Sequence, residues 1–286
     1  MSLSGKVLVT GGTGLLGSRL SPWLKERGWD VVVQGREHGG DVQCDLTDPS
    51  AVQRLIGEVR PAAVVQLVSL TNVDLCERDP HLAYLVNVRS VENIVAALDQ
   101  VADAHLVHIS TDHIYDAPGA NREDALMLRN TYALTKLWAE RIAMDTPATV
   151  LRTNFFGRSH LDWRGSFSDW VAKAMTDPES VTLLTDVMFS PLSIETLSDV
   201  ITRSLSARPA GIFNAGSREG LSKRDFAHLV AKTLGGSMEG AKDGRQSDLT
   251  LDAARPAAMM MDSSKLEAAL GITLPTLTKE IETAEL

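Results

Sequence analysis

The chain contains 286 residues, of which 44% are hydrophobic, and it carries a formal net charge of −9 at pH 7. This length allows a large core in one or two domains, and the negative charge gives no electrostatic support for nucleic-acid binding. Cys44 and Cys76 lie too far apart for a redox or metal motif, and the sequence has no recognisable signal peptide or membrane-length apolar run. We therefore expect a cytoplasmic protein with no catalytic metal and no membrane or nucleic-acid partner.

The first predicted elements are a strand, a glycine-rich turn and a helix. Residues 6–10 form an apolar run typical of a buried strand, and the leucine spacing over residues 15–27 predicts a helix. In the turn between them, Gly11 allows a tight bend, Gly14 lets the backbone approach a pyrophosphate, and Gly17 lets the helix pack close to the strand. Glycines in this context predict dinucleotide binding.

Strands and helices then alternate as far as residue 151. The sequence predicts strands at 31–34, 63–67, 106–109 and 149–151. It predicts helices from a cap at Thr47 or Asp48 to about residue 57, from Pro80 to about residue 101, and around Tyr132. This alternation indicates an α/β fold with a Rossmann-type, doubly wound parallel sheet, in which ligands bind beyond the carboxyl ends of the strands.

The last part of the chain is less regular. Helices are predicted near residues 167–175, 194–205, 222–234 and 263–270, with a capping box at Ser222 and Asp225 and a surface loop over 240–255. We expect residues 1–155 to form an NAD(P)-binding Rossmann domain onto which 194–207 pack back. Residues 156–193 and 208–286 are expected to form a smaller C-terminal substrate-binding lobe.

A candidate catalytic pair is formed by Tyr132 and Lys136. Because they lie four residues apart, they share one face of a helix, where Lys136 would favour the tyrosinate and make Tyr132 a usable proton donor near neutral pH. Thr111 follows the strand at 106–109, and its hydroxyl could hold a substrate oxygen. A Tyr-Lys pair on a solvated helix is the alternative, and the glycine motif favours the catalytic interpretation.

Together these motifs resemble the extended short-chain dehydrogenase/reductase family, and within it the dTDP-4-dehydrorhamnose reductases (the RmlD-like branch). The similarity extends over nearly the whole chain and includes the segments 10–17, 44–48, 70–74, 108–112 and 132–136. It implies these cofactor-binding residues: Gly11, Thr13, Gly14, Leu15, Leu16, Gly17, Asp45, Leu46, Leu67, Val68, Ser69 and Lys136. It implies substrate contacts from Thr71, Val73, Asp112, His113, Asn154 and Phe155.

The resemblance also implies a reaction. NAD(P)H would deliver hydride to the C4 ketone of a nucleotide-linked 6-deoxyhexulose, and Tyr132 would protonate the resulting alkoxide. Thr111 would hydrogen-bond the carbonyl, while Lys136 would hold the ribose hydroxyls and tune Tyr132. The expected partner is therefore a small nucleotide-sugar substrate, and a homodimer is left open.

Several positions depart from the family pattern. His113 replaces the usual Tyr, and the missing Glu at this position argues against a dehydratase. Phe155 replaces a Trp, which weakens the dTDP assignment, and Asn154 resembles the extended epimerases. Arg19 occupies the position of an acidic magnesium ligand, so a metal site is not carried over. Alternatives are therefore an epimerase or reductase of another carbonyl, or a regulatory subunit like that of methionine adenosyltransferase.

The charged residues near the end of the second strand bear on the choice between NADPH and NADH. The second strand ends at Gln34-Gly35-Arg36, without a carboxylate to bind a ribose 2′-hydroxyl. Arg36 could instead pair with the 2′-phosphate of NADPH, which is favoured over NADH, or it could be a solvated surface residue.

Two other polar residues have structural interpretations. His108 is interpreted as a core histidine with its hydrogen bonds satisfied. Asn87 either approaches the site or has a packing role.

Overall fold

The computed structural model describes residues 5–37 and 39–286. Its strands are β1 (Lys6–Thr10), β2 (Asp30–Gly35), β3 (Val42–Gln43), β4 (Ala63–Gln66), β5 (His105–Ile109), β6 (Thr149–Thr153), β7 (Phe155–Phe156), β8 (Thr182–Leu184), β9 (Met188–Phe189), β10 (Leu192–Ser193), β11 (Gly211–Ala215), β12 (Leu221–Ser222), β13 (Lys242–Gly244) and β14 (Ala258–Met259). Its helices are α1 (Leu15–Glu26), α2 (Pro49–Val59), α3 (Val73–Arg78), α4 (Pro80–Tyr84), α5 (Ser90–Leu98), α6 (Thr131–Ala143), α7 (Phe167–Ala174), α8 (Ile194–Ala207), α9 (Lys223–Thr233), α10 (Ser264–Leu270) and α11 (Leu277–Thr283).

The main sheet has the strand order β11-β6-β5-β4-β1-β2-β3, and the pairings from β6 across to β3 are parallel. The chain builds outward from β1 to β3 and then crosses back to β4, so the strand order reverses between β1 and β4. This confirms the predicted α/β fold with a doubly wound parallel sheet. The reversal point is the place where such sheets bind ligands, and the glycine turn follows β1 there.

The chain divides into two compact units. The first comprises the described residues of 1–111, 130–152 and 198–213. Its core packs one face of the parallel strands against α2, α5 and α6, because apolar residues alternate on that face; examples are Leu8, Val64, Leu106 and Val150 on the strands, with Ile56, Ile94 and Ala139 on the helices.

The second unit comprises residues 112–129, 153–197 and 214–286. Its core is aromatic, and Phe226 of α9 contacts three other rings at centroid distances of 5.0 to 5.4 Å; they belong to Phe156, Phe167 and Phe189. Such ring pairs stabilise a core beyond their buried area. The short strands β7–β10 and β12–β14 and the helix α11 were not predicted, because elements this short show little periodicity.

Helix ends largely follow the sequence signals. Asp48 and Asp79 accept backbone N–H bonds at the starts of α2 and α4, each followed by a proline. The predicted capping box at Ser222 is half formed: Ser222 accepts from the N–H of Asp225, but the Asp225 carboxylate receives the Ser222 hydroxyl. The long helix predicted from Pro80 is interrupted by a π-helical segment, Leu85–Arg89.

Two other expectations need correction. Residues 240–255 are not only loop, because they contain β13, which pairs with β8, and a 3₁₀ turn at Gln246–Asp248. His108 is fully buried as expected, but neither ring nitrogen has a hydrogen-bond partner among the described residues, so the interpretation of a satisfied histidine was wrong. Within the described part of the chain, no helix combines the length and the apolar character needed to cross a membrane.

Candidate active site

The glycine turn after β1 depends on a backbone conformation that favours glycine. Gly11 adopts φ +64°, a left-handed conformation that favours glycine. Gly14 then donates its N–H to the Gly11 carbonyl at 3.0 Å, and α1 starts at Leu15 with no side chain capping its first turn. The first N–H groups of α1 are thus presented to a ligand, as anion binding at a helix N-terminus requires.

Gly17 brings α1 close to the turn. A Cβ atom at this position would lie 2.5 Å from the Gly12 Cα and 2.6 Å from the Gly11 carbonyl oxygen. No larger residue fits without moving the backbone. The local structure therefore has the form of a dinucleotide cradle, and this agrees with the separate tasks expected of Gly11 and Gly17.

Gln34, at the end of β2, supports this turn and was not assigned a role from sequence. It is buried, and its side-chain oxygen accepts the Gly11 N–H at 2.9 Å, while its side-chain nitrogen donates to the carbonyls of Gly35 and Cys44. A buried amide with all these partners fixes the turn to β2. A glutamine inside an apolar strand is the signal that could have indicated this.

The remaining predicted cofactor residues surround the same end of the sheet. Val68 lies against Gly11, within 3.1 Å of where a Cβ there would be, and the Leu67 N–H donates to the Thr10 carbonyl at 3.3 Å. The Leu46 carbonyl accepts from Asn93, and Asp45 accepts from Thr47. Thr13, Leu15 and Leu16 lie in the glycine turn and the first turn of α1, and Ser69 follows Val68 in the loop after β4.

Arg36 follows β2 and is largely exposed. Its guanidinium lies 3.5 Å from the Asp45 carboxylate and 3.8 Å from that of Glu37. At this exposure and these distances the pairs hold the side chain only weakly. A phosphate could therefore compete for Arg36, although two carboxylates stand beside it.

Thr111, Tyr132 and Lys136 all belong to the first unit and are all buried. Thr111 lies just past β5, while Tyr132 and Lys136 stand on α6, whose first turn is capped by Asn130. Two bonds fasten the end of β5 to α6. Lys136 Nζ donates to the Ile109 carbonyl at 2.7 Å, and the Ser110 hydroxyl donates to the Glu140 carboxylate at 2.5 Å.

The charge of Lys136 is tuned by its surroundings. Burial lowers its pKa from 10.5 to about 8, and the nearby Glu140 carboxylate partly opposes this. Glu140 is itself paired with Arg152 of β6, with N···O distances of 2.7 and 2.9 Å and both side chains fully buried. A lysine with this pKa still carries its positive charge at pH 7, which is what stabilising a tyrosinate requires.

Asn87 links the cofactor-side loop to α6. It is buried within the π-helical segment, and its side-chain oxygen accepts from the Leu70 N–H at 2.7 Å and from the Ser69 hydroxyl at 3.1 Å. Its side-chain nitrogen donates to the Thr135 hydroxyl at 3.0 Å. Thr135 precedes Lys136 on α6, so Asn87 connects the loop after β4 to the helix that carries Tyr132 and Lys136. The π-helical segment that aims it has no clear sequence signal.

The predicted substrate residues fall into two groups. Thr71 is exposed and Val73 is buried at the start of α3; both belong to the first unit. Four others belong to the second unit, where the Asn154 side chain donates to Asp112 at 2.7 Å, Phe155 lies on β7, and His113 lines a cleft. Burial, with Lys223 and Arg255 nearby, lowers the pKa of His113 to about 3, so this ring is neutral near pH 7.

No cluster of three or more His, Cys, Asp or Glu side chains that could hold a metal ion occurs among residues 5–37 and 39–286. The first unit contains the glycine turn and also the buried hydroxyl of Thr111, phenol of Tyr132 and ammonium of Lys136. These are the groups needed to orient a carbonyl and to supply its oxygen with a proton.

Comparison with known proteins gives consistent matches over the whole chain. A probable low-salt glycan biosynthesis reductase from Haloferax volcanii is 29% identical, and the alignment covers 97% of this chain and 96% of that protein. The dTDP-4-dehydrorhamnose reductase of Streptomyces griseus is 30% identical, with coverage of 92% and 87%. The crystal structure of dTDP-4-dehydrorhamnose reductase from Bacillus anthracis in complex with NADP superposes with a TM-score of 0.88 at 22% identity, covering 99% of this chain and 98% of that one.

The match to a protein family is equally extensive. The family model described as the RmlD substrate binding domain matches residues 5–284, which include every site residue considered above. The family predicted from the motifs is confirmed by this match. The chain belongs to the RmlD substrate binding domain family.

Proposed function

We propose that the protein is an NAD(P)H-dependent oxidoreductase that reduces the C4 ketone of a nucleotide-linked deoxysugar, as a dTDP-4-dehydrorhamnose reductase does. The observation that carries this proposal is the fastening of Lys136 to the end of β5, beside Thr111, in the unit that also contains the glycine cradle. The fold, the family match and the similarity to the Streptomyces griseus reductase support the same reaction class.

The cradle fits a dinucleotide, because Gly17 leaves no room for a side chain and the first turn of α1 has no side-chain cap. Gly11, Gly14 and the first N–H groups of α1 would hold the pyrophosphate, and Arg36 would meet a 2′-phosphate. When bound, NAD(P)H supplies the hydride for the carbonyl carbon. We favour NADPH, with NADH as an alternative, because no carboxylate ends β2.

The proton that the carbonyl oxygen receives would come from a side chain of the protein itself. Thr111 would donate a hydrogen bond to the carbonyl oxygen, and Tyr132 would give that oxygen its phenolic proton as negative charge develops there. The charged Lys136 would stabilise the tyrosinate that remains and hold the ribose hydroxyls. Hydride on carbon and proton on oxygen together convert the ketone to an alcohol.

The substrate contacts are proposed to come from Thr71, Val73, Asp112, His113 and Asn154, with Phe155 beside the sugar or base. Because His113 is neutral, its role would be hydrogen bonding rather than proton donation. We propose a cytoplasmic location, because the spacing of Cys44 and Cys76 in the sequence does not suggest a disulfide framework. A homodimer stays a prediction that sedimentation velocity would test.

The test is NADPH oxidation with a dTDP-4-keto-6-deoxyhexose, in the wild type and in Tyr132→Phe. We expect turnover in the wild type. The variant should lose most of it while keeping its affinity for NADPH, because only the proton donor is removed. Full activity in the variant would refute the role of Tyr132.

The same assay separates the alternatives. An epimerase would isomerise a nucleotide sugar without net NADPH consumption, whereas a regulatory subunit would bind NADPH without any turnover. Thr111, Tyr132 and Lys136 are all retained in buried positions, and Lys136 is hydrogen-bonded to Ile109, which favours the reductase.

A further inference from the structure

The helix that carries Tyr132 receives a hydrogen-bond acceptor from another helix. The N–H of Thr131, the first residue of α6, donates to the Glu77 carboxylate of α3 at 2.9 Å. Both residues belong to the first unit, although they lie 54 positions apart in the chain. Glu77 was assigned no role from the sequence, because a bond between such distant segments leaves no local pattern.

The first turn of α6 needs acceptors from outside the helix. The first N–H groups of any α-helix have no acceptor within the helix itself. The Asn130 side chain accepts the N–H of Ala133 at 2.9 Å, and Glu77 accepts that of Thr131. The first turn of α6 contains no acidic residue, so Glu77 also supplies the negative charge that stabilises the positive end of a helix.

Glu77 stands on a helix that is itself well fixed. The Asn72 side chain caps the start of α3 by accepting the N–H of Leu75 at 2.9 Å. On the inner side of α3, Cys76 is fully buried, and its thiol donates to the Leu70 carbonyl at 3.3 Å. The backbone that carries Glu77 is thus held at its start and along its buried face.

Tyr132 lies between two sets of bonds along α6. Its carbonyl accepts the Thr135 hydroxyl at 2.9 Å, and one turn further on Lys136 is fastened to Ile109. On the other side of Tyr132 lies the first turn, which Glu77 and the cap hold. Because Glu77 is exposed, its bond contributes little to the free energy of unfolding, but a small displacement of a reacting group can slow a reaction markedly.

We propose that Glu77 is a positioning residue for Tyr132. By accepting the Thr131 N–H, its carboxylate keeps the first turn of α6 formed and so fixes the place of the phenol that donates the proton. Glu77 acts through the main chain and needs no contact with the substrate. The inference rests on the proposed function, because it concerns the proton donor of the proposed reaction.

The experiment compares Glu77→Ala and Glu77→Gln in the full-length protein. Glu77→Ala should lower kcat for ketone reduction about fivefold, the effect of one hydrogen bond, and leave the affinity for NADPH unchanged. Glu77→Gln keeps an oxygen acceptor and should restore most of the activity. The matched control is Glu267→Ala, which removes another carboxylate that accepts a main-chain N–H, that of Leu274 at 2.7 Å in the second unit. It should leave kcat unchanged.

A double variant separates positioning from a general effect on the fold. If Glu77 acts through Tyr132, Glu77→Ala should cause no further loss of the residual turnover of Tyr132→Phe. A further fivefold loss there would overturn the proposal, and so would equal losses in Glu77→Ala and Glu77→Gln or an unchanged kcat in Glu77→Ala.

A second measurement requires no turnover. Amide hydrogen exchange, followed by NMR, should be about fivefold faster at Thr131 in Glu77→Ala than in the wild type and close to the wild-type rate in Glu77→Gln. Unchanged exchange at Thr131 in Glu77→Ala would contradict the proposal. If the wild type reduces no ketone, the proposed reaction is refuted, and the exchange rates still decide whether Glu77 holds the first turn of α6.

Discussion

Lys136 on α6 donates a 2.7 Å hydrogen bond from its ammonium to the carbonyl of Ile109, the last residue of β5. This bond joins the helix that carries Tyr132 to the strand that is followed by Thr111. The ammonium is almost fully buried, and it donates this hydrogen bond to a main-chain carbonyl rather than to a carboxylate. Its protonation therefore depends strongly on its environment, and this leads to the first prediction.

The kcat/KM for ketone reduction should fall as pH rises through about 8. Burial lowers the pKa of Lys136 from 10.5 to about 8, so the ammonium is charged below this pH and loses its charge above it. The tyrosinate left by proton donation is then no longer stabilised. The dependence of kcat/KM on pH reports the free enzyme and is the measurement needed.

Lys136→Arg gives the matched control for this profile. An arginine stays charged throughout the range, so any activity it retains should show no fall near pH 8. An unchanged falling limb in this variant would assign the titration to another group.

The buried pair of Glu140 and Arg152 should contribute strongly to stability. Glu140→Gln leaves the Arg152 guanidinium buried without a countercharge, and breaking such a pair costs about 3–5 kcal/mol. Urea unfolding of the variant should show this loss. The control is the exposed pair of Arg203 and Asp199, which lie within α8 at an N···O distance of 2.6 Å. Arg203→Ala should cost less than about 1 kcal/mol. A similar loss in both variants would contradict the argument from burial.

Glu140→Gln should also shift the dependence of kcat/KM on pH. The Glu140 carboxylate opposes the fall in the pKa of Lys136, so its neutralisation should lower that pKa further. The decline in kcat/KM should therefore begin at a lower pH in Glu140→Gln. A loss of stability alone, without this displacement, would leave Glu140 a purely structural residue.

Much of the first unit could be predicted from the sequence, because its strands are continuous apolar runs and its helices have capping residues such as Asp48. What the sequence could not reveal depends on contacts between distant segments. The bonds of Asn87 to the loop after β4 require a π-helical segment, and the ammonium of Lys223 lines a cleft only because residues far along the chain meet there. His108 followed the strand pattern, but that pattern could not show that neither ring nitrogen finds a hydrogen-bond partner among the residues that the structure describes.

Gly17→Ala should abolish dinucleotide binding and lower stability. The added Cβ would lie 2.5 Å from the Gly12 Cα, so α1 must move away from the turn. The control is Gly57→Ala in α2, where the nearest atom would be 3.4 Å away, at the end of the Gln100 side chain. This change should be neutral or stabilising by up to about 1 kcal/mol, because alanine favours helix. NADPH titration and urea unfolding of both variants would test the pair; equal behaviour would contradict the close approach.

Arg36→Ala should weaken NADPH more than NADH, because only NADPH carries the 2′-phosphate that Arg36 could contact. The exposed ion pairs to Asp45 and Glu37 are weak and must yield to the phosphate. Asp45 also accepts the N–H and hydroxyl of Thr47, which hold its pKa below the usual range, so it stays ionised beside Arg36 near pH 7. Asp45→Asn should consequently raise the ratio of NADPH to NADH affinity. Titration of both cofactors decides the matter, and equal losses for both in Arg36→Ala would remove the argument for phosphate recognition.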